Sequence, residues 1–394
     1  MKPVQIADGI YWVGGIDWRL RNFHGYLTQR GSSYNAYLII DEKVTLVDSV
    51  KSYLTQDMLD RIASLVDVSK IDYLVANHVE MDHSGAIPEV AKLAPNMQIV
   101  CSPKGAEGLR MHYGELNYKV VKTGDSLNLG KRSLNFVQTP MVHWPDNMLS
   151  FCPEEKILFS NDAFGQHIAT SERFDDELPV HIVMEEAAKY YANIVLPYGN
   201  QVKAALSAVS GFEIKTIAPS HGVIWRKHLP EILGSYTKWC TNETVSKAVV
   251  VYDTMWDSTA KMAGAVAEAF ENCGILTTIV NPQDSHISDI MTSLLSARFV
   301  CVGSPTLNNN MLPSVAAFLT YLKGLAPKGR VGMAFGSYGW GGQSVALVED
   351  ELRKCGFDLM QSARFQYIPD GEKLAALTAQ VEEEIKKFIL PETV

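Results

Sequence analysis

Residues 78–85 read HVEMDHSG, which places two imidazoles and two carboxylates within six positions of a chain that is only 20% charged. A lone histidine after a strand is read as a satisfied core residue, and a polar loop as solvated. Four metal-ligand side chains this close would repel one another, or lose hydration at a cost, unless a cation or hydrogen-bond donors compensated them. The cluster therefore favours a metal site. The preceding YLVA, residues 73–76, is apolar and β-prone, so the cluster begins where a buried strand ends. If the backbone stays extended there, His78, Glu80 and Asp82 project to one side, while His83 points away toward a second point. That geometry suits one ion or two.

Three more ligand-type residues sit at the ends of predicted strands: His143 in TPMVHWPDN, Asp162 in KILFSNDAFG and His221 in IAPSHGVIW. Over residues 1–245 this succession, with the early hairpin ending in LVDSV, resembles the metallo-β-lactamase superfamily. Hydrolytic members usually carry HxHxDH, whereas this chain reads HxExDH, with Glu80 at the second position. Exchanging an imidazole for a carboxylate hardens the donor set and adds charge, which favours iron or manganese over zinc. That departure resembles the flavodiiron proteins. The resemblance implies two non-haem Fe ions, with His78, Glu80 and His143 on one, Asp82 and His221 on the other, and Asp162 bridging. His83 is a ligand in some members and turned away in others. Two Fe(II) ions can share a small diatomic and each give up an electron. His24, Tyr190 and Tyr191 are candidates for an outer layer that supplies protons, although each reads first as an ordinary structural residue.

A second constellation lies in the C-terminal part. The strand AVVVYD is followed by DTMWDSTAKMA, which opens a helix, and free N–H groups at a helix start favour a phosphate. Thr254, Ser258 and Thr259 supply hydroxyls there, beside Met255 and Trp256. Hydroxyl residues also cap helices without any ligand. Two further loops strengthen the reading: Ser304, Pro305, Thr306, Leu307, Asn308 and Asn309 follow one strand, and Ser337, Tyr338, Gly339, Trp340 and Gly341 follow another. All three would gather at the C-terminal edge of one parallel sheet. This resembles the flavodoxin domain and implies FMN. Asp257 stands where flavodoxins commonly have Gly, a position Asp tolerates better than most residues. No GxGxxG follows any strand, so direct NAD binding is not indicated.

These residues need two different scaffolds. Residues 1–246 alternate short strands, turns and helices, including the hairpin YNAYLII–KVTLVDSV, a helix over 56–66 and the hairpin SLNLGKRSLNFVQT, and fit a metallo-β-lactamase-like αββα sandwich. Residues 247–394 repeat strand and helix five times, with a last helix near 371–389, and fit a flavodoxin-like doubly wound parallel sheet. A length of 394 residues suits two domains. No apolar run reaches the roughly 20 residues of a spanning helix, and the first residues lack a secretory signal pattern, so a cytoplasmic protein is expected. Six cysteines without a CxxC pair argue against disulfides, a zinc ribbon or a rubredoxin-type iron site. With 35 basic and 44 acidic residues and no basic run, nucleic acid is not an expected partner.

Both halves match one family in order, most closely the rubredoxin:oxygen oxidoreductases. The resemblance implies an O2 or NO reductase that receives electrons from a separate rubredoxin-type donor, no such domain following IKKFILPETV. It also implies head-to-tail homodimers or dimers of dimers, which bring the FMN of one chain beside the irons of another. The competing reading, a zinc-dependent hydrolase with an appended flavodoxin domain, is opposed by Glu80.

Overall fold

The computed structural model describes residues 2–388. They form two compact units, one of residues 2–190 with Tyr198–Cys240, the other of Tyr191–Pro197 with the described residues from Thr241 onward.

The first unit is built on two sheets. Seven strands lie in the order Val4–Ala7, Ile10–Trp12, Tyr37–Ile39, Val44–Val47, Ile71–Ala76, Gln98–Cys101 and Tyr118–Val120. Five more lie in the order Ser126–Asn128, Ser133–Gln138, Met148–Cys152, Ile157–Asn161 and Thr216–Pro219. The expected first hairpin pairs Tyr37 with Val47 and Ile39 with Thr45. One core, with Tyr37, Val75, Phe136 and Phe159, lies between the sheets. Another, with Leu46, Met58, Leu74 and Leu109, lies between the larger sheet and the helices Thr55–Ala63, Ile87–Leu93 and Pro103–Tyr113. The run YLVA is apolar for this reason: Leu74 faces one core and Val75 the other. The helices Gly199–Val209 and Leu229–Cys240 cover the smaller sheet, where Phe212 stacks on Phe151 at 4.5 Å and Tyr236 packs on Phe164 at 4.3 Å. The result is the αββα sandwich that the strand count suggested.

The second unit carries a parallel sheet in the order Leu276–Val280, Val245–Tyr252, Ala297–Gly303, Val331–Tyr338, closed by a strand split into Asp358–Leu359 and Ala363–Gln366. In chain order this is 2-1-3-4-5, the flavodoxin-like winding, whose ligand crevice lies where the order reverses, between the first and third strands. The strand LTTIV sits at the sheet edge, so Leu276 and Ile279 are exposed despite their apolar character. The last helix is Gly371–Lys386, and expected position 389, like 390–394, lies outside the described residues. Among the described residues no helix is long and apolar enough to cross a membrane.

Candidate metal centre and cofactor pocket

The Ile71–Ala76 strand ends just before the cluster, and Glu80 is the last residue before the chain turns helical. At Met81 it enters a four-residue helical turn, Met81–Ser84, which carries Asp82 and His83 away from the line of His78 and Glu80. The expectation that Asp82 would share a side with His78 and Glu80 fails at that turn. Two groups of donors result, His78, Glu80, His143 and Asp162 in one, Asp82, His83 and His221 in the other.

Asp162 faces both. Its Oδ2 lies 3.6 Å from His78 Nε2 and 3.2 Å from His143 Nε2, while its Oδ1 lies 2.9 Å from His83 Nε2 and 3.3 Å from His221 Nε2. Glu80 Oε2 is 3.4 Å from His78 Nε2 and 3.5 Å from His143 Nε2, and Asp82 Oδ2 is 3.4 Å from His221 Nε2. Donors held about 2.1 Å from a common ion lie roughly 3.0–3.5 Å apart. His83 is thus turned inward.

Burial tests whether cations fit. Among the described residues, His78 Nε2, His83 Nε2 and both carboxylate oxygens of Asp82 and Asp162 are buried without a hydrogen-bond partner. Such atoms cost several kcal/mol each unless compensated, roughly, and all converge on one place. Burial alone would lower the imidazole pKa values, but the carboxylates outweigh it. Glu80 and Asp162 push His143 up to about 9, Asp162 and Asp82 push His221 up to about 10, and Asp146 and Glu80 hold His78 well above the ordinary range. Burial likewise opposes ionisation of Asp162, yet His83, His143 and His221 hold its carboxyl well below the usual range. Protons on these nitrogens sit where cations would replace them.

The supporting residues come from elsewhere in the chain. His78 Nδ1 donates to Asp146 Oδ2 at 2.8 Å, which also accepts the Val79 N–H. His221 Nδ1 donates to the Ser33 carbonyl at 2.9 Å. Asp48 holds Asn77, just before His78, through both backbone and side-chain amides. His167, fully buried, packs its ring 4.7 Å from His221, between Tyr26 and Tyr190. Burial and the neighbouring His221 keep it neutral. Sequence reasoning missed Asp146, Ser33, Asp48 and His167, because each acts across the fold and none belongs to a spaced motif. Of the outer residues it did raise, His24 lies 3.0 Å from Glu80 Oε1 and is exposed. Tyr190 packs near His221, and Tyr191 belongs to the second unit. The cluster meets solvent at Glu80 and His143, whose side chains are 12% and 14% exposed against 2% or less for the other candidate donors.

In the second unit the three expected loops line a cavity of about 700 Å3, within the range of cofactor sites. Met255, Trp256, Ser258, Pro305–Asn309 and Ser337–Trp340 line it, and Tyr367 and Ile368 join them from beyond the split last strand. Thr254, Thr259, Ser304 and Gly341 are not in the lining. Thr259 and Ser304 are buried supports, Thr259 Oγ1 bonding Ser337 Oγ at 2.9 Å and Ser304 Oγ accepting the Leu312 N–H at 2.9 Å. Among the described residues the Thr254 hydroxyl is buried without a partner, just past the strand end, a fit for a phosphate oxygen. Asp257 adopts the left-handed conformation at φ 60° at the N-terminal boundary of the Ser258–Asn272 helix, without a side-chain capping bond. Gly336 cannot carry a side chain, since a Cβ would stand 2.0 Å from the Ser304 carbonyl.

Comparison with known proteins bears on both units. Residues 33–222 match the ODP family beta lactamase and residues 250–383 match flavodoxin. The chain is 46% identical over 381 residues to a nitric oxide reductase of Moorella thermoacetica, covering 95% of this chain and 96% of that one. The chain belongs to the flavodiiron family. Among solved structures, rubredoxin oxygen:oxidoreductase from Desulfovibrio gigas superposes with a TM-score of 0.95 at 40% identity, covering 99% of this chain and all of that one. The flavodiiron protein of Giardia intestinalis superposes with a TM-score of 0.94 at 37% identity, covering 98% of both chains. The Moorella thermoacetica and Desulfovibrio gigas relatives are oxidoreductases by name, and this chain is an oxidoreductase with them.

Proposed function

We propose that this flavodiiron protein is a terminal reductase, which takes electrons from a rubredoxin-type donor and reduces O2 to water, NO to N2O, or both. The observation that carries the reading is Asp162, one oxygen toward His78 and His143, the other toward His83 and His221. His78, Glu80 and His143 would hold one iron, Asp82, His83 and His221 the other, with Asp162 between them. When bound, FMN would collect single electrons from the donor and the diiron pair would deliver them to the diatomic substrate. The carboxylate-rich set gives the zinc hydrolase reading no support.

The protein's own groups do the rest. Asp146 and the Ser33 carbonyl fix the tautomers of His78 and His221, so that each presents Nε2 inward. Glu80, His143 and His24 form the polar side through which water leaves and protons arrive. In the second unit Thr254 and Ser258 would take the phosphate, with Thr259 supporting Ser337 from behind, and Tyr338 and Trp340 would flank the flavin ring. Trp256 and Trp340, 85% and 82% exposed, with Tyr367 and Ile368 form an apolar rim suited to covering the ring or receiving a partner. A head-to-tail pair of chains, in which the rim of one faces the metal side of the other, is part of this proposal.

Turnover with reduced rubredoxin under O2 or NO tests it. Glu80→Ala and Asp162→Ala should each lose about 100-fold or more of the turnover while retaining FMN. Unchanged turnover in either would contradict the reading.

A further inference from the structure

Behind the metal cluster lies a second cavity. It sits between the Gly199–Val209 and Leu229–Cys240 helices and the loops that carry His143 and Asp162, is partly open to solvent, and holds about 20 Å3. Its deep end is formed by Val142, the residue before His143, and by Ala163 and Phe164, the residues after Asp162. Its outer end is formed by Ala205 and Leu206, half-buried on the first of those helices. The lining is otherwise apolar except for the hydroxyls of Thr139 and Tyr236. The Tyr236 hydroxyl is already engaged, accepting the Phe164 N–H at 2.6 Å.

Two physical points decide what such a space would hold. A buried water needs two to four polar partners and about 10–15 Å3, whereas an apolar cavity stays dry and takes apolar guests. This cavity has room for one molecule of diatomic size, and eight of its ten lining residues are apolar, which favours an apolar guest over water. The second point is Phe164, which holds φ 68°, a conformation rare and unfavourable for a bulky residue. That turn directs its ring onto Tyr236 and into the lining. A strained backbone is thus kept beside Asp162, and it shapes this space.

We propose that the cavity is a binding site for an apolar diatomic gas, taken in at the Ala205–Leu206 face and held beside the His143 and Asp162 loops. Polar traffic and gas then use different sides of the cluster, protons and water at Glu80 and His143, the gas from behind. The inference rests on the proposed reductase reading for its role, and on geometry alone for the site.

Crystals of the iron- and FMN-loaded protein pressurised with krypton test the site directly. Krypton should be found between Val142, Phe164 and Val202, and its absence overturns the proposal. Ala205→Trp and, should that variant fold poorly, Leu206→Trp would fill the outer end. With iron and FMN content unchanged, kcat/KM for the gas should fall about ten-fold while kcat at saturating gas is kept. Unchanged kcat/KM in a variant that no longer binds krypton also overturns it. A wild-type protein that binds krypton here yet turns over neither O2 nor NO would refute the reductase reading and leave the site standing.

Discussion

Asp146 shows how much of this centre depends on residues that touch no metal. Its carboxylate takes the Nδ1–H of His78 and the Val79 N–H together, locking ring and backbone in one direction. Asp146→Ala should therefore weaken iron retention about 10–100-fold, read by competition with a chelator, and unchanged retention would show that the ring is held by packing alone. The imidazoles proposed as metal ligands make a second prediction. In metal-free protein His143 and His221 hold protons up to about 9 and about 10, and His78 well above the ordinary range. A folded-state pKa raised above the unfolded value contributes stability that is fully present below about 6.5 and is lost as pH rises through 9 to 10. Metal must displace those protons. Calorimetric titration of iron(II) or zinc into the metal-free protein at neutral pH should thus release protons, with heats that depend on the buffer, and affinity should climb with pH. Heats independent of the buffer would contradict the protonated cluster.

At the scale of elements, strand ends and the helix start after AVVVYD position almost all the chemistry. Asp257 holds the left-handed turn that opens the Ser258–Asn272 helix under the proposed phosphate. Asp257→Val should cost roughly 1–2 kcal/mol and weaken FMN binding, while Asp257→Gly should be near neutral, both measurable by denaturant melts and flavin titration. These features were legible in the sequence because each lies beside a local signal: apolar runs ending at His78, Asp162 and His221, or hydroxyl and glycine loops after strands. The helical turn at Met81 was not, since four residues carry no periodicity to read. Tyr367 and Ile368 escaped because the last strand is split and no loop motif follows it. Tyr191–Pro197 reads as part of the N-terminal pattern, yet packs with the second unit, where the Asn193 side chain donates to the Ser288 carbonyl and accepts the Tyr321 hydroxyl. Contacts of that range leave no trace in neighbouring residues.

For the whole molecule, two cofactor sites are assembled from separate sets of residues. All residues lining the 700 Å3 cavity belong to the second unit, and all seven proposed metal ligands belong to the first. Removal of iron by a chelator should therefore leave the flavin absorbance unchanged, and loss of flavin on chelation would show that the sites are coupled. The reductase reading stands or falls with what the carboxylate-rich cluster holds. The most direct measurement is elemental analysis of the purified protein together with flavin quantification. The account predicts two irons and one FMN per chain, and stoichiometric zinc after expression in iron-sufficient medium would contradict it.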